Sequence, residues 1–313
     1  MTVGLAILLG LVQGLTEFLP VSSSGHLVLV QTFFGGSNPE ADYMLFDVLL
    51  HFGTLVSVCI AFWGDIRELF VEFFGWVRDG FQLRNRPYRR FIVMVLITIL
   101  PMFPVLLVKD KLEELFSNTL FVGCALLVTA LVLLLSERAP RLHKDAGSAG
   151  WLDAFLVGCA QAVAVVPGIS RSGSTICAGL FRGFSRDFAV RFAFIMSLPV
   201  VFGANLLEVS DAIAQAEVSS GIPIYLYILG IAVAMVSGLL AIRLIRLVTN
   251  KGHFRPFVVY CGLVGIVSII ASIVVRIQAE PPAARCSPVP AQNRWCRSAS
   301  GFVPVCAESG ITA

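Results

Sequence analysis

The chain reads as an all-α polytopic membrane protein, with about six transmembrane helices plus two re-entrant helical hairpins in an inverted-topology repeat. Three observations carry that reading. Hydrophobic residues make up 57% of the sequence and charged residues 14%, with mean hydropathy +0.85, which is far too apolar for a water-soluble domain. Apolar runs at 45–63, 91–108, 120–135, 192–207, 224–242 and 257–275 approach the ~20 residues needed to cross a hydrocarbon core. A polar motif also interrupts apolar sequence near the N-terminus and recurs in the second half.

The first element, residues 1–34, is apolar but is broken by Gln13, Glu17 and the run Ser22-Ser23-Ser24 before a span is complete. A cleaved leader is the alternative, but there is no basic n-region and no polar sequence after it. The basic residues orient the spans that follow. Segment 64–90 holds Arg67, Arg78, Arg84, Arg86, Arg89 and Arg90; 136–150 holds Arg138, Arg141 and Lys144; 243–255 holds Arg243, Arg246, Lys251 and Arg255. By the positive-inside bias these three segments face the cytoplasm, with 64–90 read as a solvated loop touching anionic headgroups. Segments 35–44 and 209–222 carry Glu40, Asp42, Asp211 and Glu217 without Lys or Arg, and therefore face outward. Alternation then requires 151–181 to dip in from the cytoplasmic side and return, and 1–34 to do the same from outside. Pro20, Gly25, Pro167, Gly168 and Gly173 supply the helix breaks such tips need.

A single membrane domain over 1–278 results, with repeat 1 at about 1–63 and repeat 2 at about 150–208; the Pro-, Ala- and Ser-rich 279–313 reads as a disordered tail. Cys59, Cys124, Cys159, Cys177 and Cys261 lie in apolar runs and read as small core residues. Cys286, Cys296 and Cys306 fall in the tail, where a disulfide would leave one thiol over. Nothing in the charge distribution points to nucleic acid.

Shifting the chain by 148 residues lays Gly10, Gln13, Ser22, Ser24 and Gly25 over Gly158, Gln161, Ser170, Ser172 and Gly173. The copies diverge where chemistry would: Glu17 meets Val165, Ser23 meets Arg171, and His26 meets Ser174. One half carries an acid and an imidazole, the other a cation. Ionisable groups at bilayer depth are costly and mark functional sites by default. Ser170, Arg171, Ser172, Gly173, Ser174 and Thr175 together form an anion cradle suited to phosphate, since Arg pairs bidentately with phosphate oxygens and a helix N-terminus favours negative charge. Glu17 can hold a divalent cation or deprotonate a nucleophile, and His26 can act as nucleophile, base or acid. Gln13 shares the helix face of Glu17. Structural readings stand beside these. His26 can be a buried interhelical donor, Glu17 and Arg171 a structural ion pair, and the serines caps for broken backbone. Asp47 with His51, and Asn205 with Glu208, share helix faces and read as supporting groups.

The segments Gln13-Gly-Leu-Thr-Glu17-Phe-Leu-Pro-Val-Ser22-Ser23-Ser24-Gly25-His26 and Pro167-Gly168-Ile169-Ser170-Arg171-Ser172-Gly173-Ser174-Thr175 resemble the two signature motifs of bacterial undecaprenyl-diphosphate phosphatases, the bacitracin-resistance membrane family. The resemblance covers about residues 1–278. It implies hydrolysis of a polyprenyl diphosphate lipid to the monophosphate carrier used for peptidoglycan and envelope glycans. It also implies a divalent cation (Mg2+ or Ca2+) held in part by Glu17, and a place in the bacterial inner membrane with the site opening to the extracytoplasmic side. Glu17, His26, Arg171 and Ser23 are its catalytic positions, and Gln13, Ser22, Ser24, Ser170, Ser172, Gly173, Ser174 and Thr175 line the substrate. The partners implied are the lipid substrate and the bilayer, with homo-oligomerisation left open. Gln13 stands where some members carry Glu, which weakens any scheme with two carboxylates on one metal. The rival class is a transporter or flippase of polyprenyl phosphate lipids, because inverted repeats with broken helices also serve alternating access.

Overall fold

The computed structural model describes residues 1–34, 39–83, 86–108, 112, 118–139, 143–214, 222–279, 295–298 and 301–304. Among the described residues of 1–279 it is helical apart from short breaks and links. The helices are α1 (Val3–Phe18), α2 (Ser23–Phe34), α3 (Pro39–Ala61), α4 (Trp63–Arg78), α5 (Pro87–Ile99), α6 (Phe103–Leu106), α7 (Thr119–Ser136), α8 (Trp151–Val163), α9 (Arg171–Phe181), α10 (Arg186–Ala214), α11 (Ile224–Lys251) and α12 (Arg255–Ala279). Five stretches are long and apolar enough to cross a bilayer: Pro87–Val105, Thr119–Ser136, Arg186–Leu207, Ile224–Lys251 and Arg255–Val275. A sixth results if α3 and α4, bent by 81° at their junction, count as one span.

The repeat is visible as helix–break–helix units, α1–α2 followed by α3 and α8–α9 followed by α10. The second helix of each pair begins at matched positions, Ser23 and Arg171. Helices α1 and α8, of 16 and 13 residues, are apolar but too short to cross.

Several boundaries differ from the sequence reading. The 64–90 loop is not a loop throughout, because Trp63–Arg78 folds as an amphipathic helix whose acids serve as anchors. Glu72 accepts from Arg86 (2.9 Å) and Arg89 (2.9 Å), Asp79 accepts from Arg89 (2.8 Å), and Asp65 accepts from Arg191 (3.1 Å). Charge counting could not see that these arginines are spent on neighbouring acids. Pro101 and Pro104 end α5 in a 3-10 turn at Leu100–Met102 before the short α6. Helices α10 and α11 run well past the expected spans, since long charged side chains at a helix end can reach the interface while the helix continues. Cys124 is exposed on α7 rather than in the core, whereas Cys177 and Cys261 are buried. The chain forms two compact units, Met1–Ile269 and Ile270–Ala313. Within the tail read as disordered, Trp295–Ser298 and Gly301–Pro304 pair as an antiparallel hairpin, in keeping with the β-favouring Trp, Cys, Phe and Val there. The remaining tail residues, with Cys286 and Cys306, lie outside the described residues, as do Arg84, Arg141 and the side chains of Glu40, Asp42, Glu208, Asp211 and Glu217.

Two packing devices hold the large unit together. At one end, Phe91, Phe184, Phe188 and Phe192 interlock with centroid separations of 4.9–5.9 Å. Beside them the carboxylate of Asp153, only 3% exposed, accepts from Lys144 (2.8 Å) and Arg182 (2.7 Å) and pins the start of α8 to α9. Elsewhere α1, α3 and α11 approach through small residues. A Cβ on Gly10 would lie 2.8 Å from the Gly230 carbonyl, and one on Gly53 2.6 Å from the Ile231 carbonyl. In lipid, where apolar surface gives little drive to associate, such close backbone approach is what binds helices.

A Cβ on Gly14 would overlap the hydroxyl of Ser237 and the carbonyl of Ala234, whereas Gly4 has open space around it. Gly14→Val is expected to cost ~1–3 kcal/mol by overpacking. Thermal unfolding in detergent reads this, with Gly4→Val as control. Equal melting temperatures for the two variants would show that this contact does not hold α1 to α11.

Candidate functional site

The site forms where the two tips meet. Helix α1 ends at Phe18, and the chain turns through Leu19-Pro20-Val21-Ser22, with Ser22 in the left-handed region at φ 69°. Helix α8 ends at Val163, and the second tip runs to Ser170, with Gly168 at φ 90°. Glycine is required at 168 twice over. Its φ is left-handed, and a Cβ there would stand 2.6 Å from the Val122 carbonyl.

Both tips start their next helix by the same device. The Ser170 hydroxyl accepts from the Gly173 N–H (3.1 Å) and contacts the Ser172 hydroxyl (3.2 Å). The Ser22 hydroxyl accepts from the Gly25 N–H (3.4 Å) and contacts the Ser24 hydroxyl (3.5 Å). These are N-caps, which satisfy amides left unpaired where a helix begins. Neighbours complete the tips. Thr129 of α7 donates to the Gly168 carbonyl (3.1 Å) and accepts from the Ser170 N–H (3.1 Å), while Cys261 of α12 donates to the Pro20 carbonyl (3.4 Å). Ser172 donates across the repeats to the Leu19 carbonyl (3.1 Å), which locks tip to tip.

Glu17, on the last turn of α1, is the centre of the cluster. Its Oε2 accepts from the Ser23 hydroxyl (2.6 Å) and from Gln13 Nε2 (3.1 Å), and lies 3.8 Å from His51 Nε2. Its Oε1 is 3.6 Å from Arg171 Nη1. The Glu17 side chain is 10% exposed and that of Arg171 33%. Two buried polar atoms at this point have no hydrogen-bond partner, Arg171 Nη1 and Gln13 Oε1. An unspent guanidinium N–H beside a carboxylate is a place for an anionic oxygen to arrive, because a buried donor without an acceptor is costly until one does.

Of the residues singled out from sequence, Gln13, Glu17, Ser23 and Arg171 come together. Ser22, Ser24, Ser170 and Ser172 are engaged in capping and cross-tip bonds. Gly173 lies with Pro20 Cβ 3.1 Å from where its own Cβ would be, so this glycine admits the first tip. Thr175 turns its hydroxyl back to the Arg171 carbonyl (2.9 Å), and the Ser174 N–H continues the helix to the Ser170 carbonyl (2.9 Å). His26 faces another way: its Nδ1 is 2.7 Å from the Ser22 carbonyl and its Nε2 2.7 Å from the Tyr260 hydroxyl. Two members were missed or underweighted. His51 reaches Glu17, and its only sequence signal was an imidazole one turn from Asp47 in an apolar span. Tyr260, a single tyrosine near the start of a span, is indistinguishable in sequence from an interfacial aromatic. Gln31 donates to Asp47 (2.7 Å) and ties α2 to α3 behind the site. A surface cleft lined by Glu137, His143 and Arg186 among others shares no lining residue with this cluster.

The fold and the cluster define a polytopic α-helical membrane protein with an acid, a hydroxyl and a cation gathered at two broken-helix tips. Residues 6–267 match the family described as bacitracin resistance protein BacA, and the chain belongs to that family. Among similar proteins, the undecaprenyl-diphosphatase of Halothermothrix orenii is 42% identical over 84% of this chain and 96% of its own length. That of Methanosphaera stadtmanae is 40% identical over 86% and 98%, and that of Syntrophotalea carbinolica 42% identical over 83% and 95%.

If Ser170 acts as a cap, Ser170→Ala will cost ~1 kcal/mol of stability and Ser170→Gly only a few tenths. Detergent unfolding midpoints test the ordering; an alanine variant as stable as the glycine variant would falsify the capping role.

Proposed function

We propose that this protein hydrolyses undecaprenyl diphosphate to undecaprenyl phosphate and inorganic phosphate, and so returns the lipid carrier to peptidoglycan and envelope glycan synthesis. The observation that carries the reaction is the Ser23–Glu17–Arg171 constellation, a hydroxyl donating to a carboxylate at 2.6 Å beside an unspent guanidinium N–H. A nucleophile bonded to its base, with a cation at the developing charge, is what phosphoryl transfer asks of a protein, since its catalysis is mostly positioning and electrostatics.

In this reading Arg171 clamps the diphosphate. Glu17 takes the proton as the Ser23 oxygen attacks the terminal phosphorus, and the bond from that phosphorus to the bridging oxygen breaks to leave undecaprenyl phosphate. Water then releases phosphate from Ser23 and restores the hydroxyl. His26 serves the proton movements at the same tip. Among the described residues no three His, Cys, Asp or Glu side chains gather for a metal. The donors that do fit Mg2+ or Ca2+ are the Glu17 carboxylate and the unpartnered Gln13 Oε1, oxygens on one helix face, with the remaining positions left to phosphate and water. Such an ion, when bound, would neutralise diphosphate charge.

The charge map supports placing the protein in the bacterial inner membrane with its site reached from the extracytoplasmic side. The three basic segments 64–90, 136–150 and 243–255 are tied to one another or to α10 near the Phe91–Phe192 end, through Arg90 to the Ala146 carbonyl, Arg191 to Asp65 and Arg186 to the Asn250 carbonyl. The isoprenoid chain would lie along exposed apolar helix faces. A transporter of polyprenyl phosphate is the less favoured reading, because the tips interlock and the relatives carry hydrolase names.

Purified Glu17→Ala and Arg171→Ala should each lose phosphate release from undecaprenyl diphosphate by at least ~100-fold while remaining folded at the assay temperature, with a lowered melting temperature. Ser23→Ala should fall by a similar factor, and chelator should slow the wild type reversibly. Near-wild-type turnover in folded Glu17→Ala or Arg171→Ala would overturn the assignment.

A further inference from the structure

His26 is held on both sides, and one of its two partners lies far away in sequence. Its Nδ1 is 2.7 Å from the carbonyl of Ser22, the left-handed residue of the first tip. A carbonyl only accepts, so Nδ1 must carry the proton. In the neutral ring Nε2 is then bare and must accept, and the group placed to donate is the hydroxyl of Tyr260, at 2.7 Å. The two ring planes are also nearly parallel, at 11° with centroids 5.5 Å apart, so the imidazole is fixed in tilt as well as in rotation. Tyr260 is itself seated, because its neighbour Cys261 is fully buried and bonded to the Pro20 carbonyl of the same tip.

We propose that Tyr260 is the positioning residue of His26. It sets the ring as the Nδ1–H tautomer with the Nε2 lone pair held on the Tyr260 hydroxyl, through which a proton can be exchanged, and it stays bonded through a change of protonation. A phenol donates to a bare Nε2 and, after rotation of its O–H, accepts from a protonated one. When His26 takes up a proton during turnover, the same hydroxyl therefore keeps it in place. Phenylalanine could do neither, and an imidazole anchored by Ser22 alone would be free to lose its aim. Orienting partners of this kind fix tautomer and direction without touching the reacting atoms. Tyr260 is 43% exposed, so its ring is not needed to fill the core, and its removal leaves no buried cavity.

This inference rests on the reading in which His26 takes part in dephosphorylation, and the test separates the two. His26→Ala without loss of phosphate release would remove the reading itself. With His26→Ala inactive, Tyr260→Phe is expected to lower kcat about tenfold with KM within about twofold, because the diphosphate clamp on Arg171 is untouched. The second readout does not involve turnover. In protein carrying 15N-labelled histidine, the His26 resonances, assigned by their absence in His26→Ala, should show the Nδ1–H tautomer with a hydrogen-bonded Nε2. In Tyr260→Phe the Nε2 signal should move towards that of a free imidazole nitrogen or mix tautomers. Wild-type protein with the proton on Nε2, or Tyr260→Phe with unchanged kcat and unchanged His26 resonances, would overturn the proposal. Should the variant fail to fold, the wild-type spectrum alone still decides it.

Discussion

The structure depends on satisfying broken helix ends away from water. Each tip leaves amides and carbonyls that the helix no longer pairs, and in an apolar setting each such group costs enough that the tip survives only if something meets it. Ser22 and Ser170 meet the amides. Thr129, Ser172 and Cys261 meet carbonyls from outside the tip. These bonds fix where α2 and α9 begin, and hence where Ser23 and Arg171, the first residues of those helices, send their side chains.

The two repeats thus share a scaffold and divide the chemistry. The serine-glycine caps recur at one offset because both tips face the same backbone problem. The residues laid over one another at the cluster differ, Glu17 against Val165 and Ser23 against Arg171, so the tips bring unlike groups together. A symmetric pair of tips would place either two carboxylates or two guanidiniums face to face, and like charges so close would repel strongly in a low-dielectric setting. The observed pairing sets a carboxylate 3.6 Å from a guanidinium whose Nη1 still lacks a hydrogen bond. The ion pair therefore links the two tips and still leaves a guanidinium N–H beside the carboxylate.

Packing around the tips follows from the same setting. Small residues on α1, α3 and α11 bring backbones close where hydrophobicity offers no drive. Apart from the cluster around Glu17 and Arg171, buried charges are paired, as Asp153 is with Lys144 and Arg182 and Arg89 is with Glu72 and Asp79. The helix Trp63–Arg78 was read as a loop because its arginines were counted as free charge. In the fold its acids Asp65 and Glu72 pair with Arg191, Arg86 and Arg89 from other segments, and a helix so anchored can lie on the protein.

By itself the sequence determined the membrane class, the apolar runs, the repeat, and the membership of Gln13, Glu17, Ser23 and Arg171 in one site. These follow from composition, length and periodic identity, which are local properties of a chain in a fixed solvent. Only the tertiary structure decided which polar groups are spent on backbone and which remain for chemistry. The serines look alike in sequence, yet Ser22 and Ser170 cap helices while Ser23 bonds Glu17. His26 stands in the same motif as Glu17 but takes its second partner, Tyr260, from the last helix. Hydrogen-bond assignment depends on directions across space, and residues brought together from opposite ends of the chain leave no trace of that in their order.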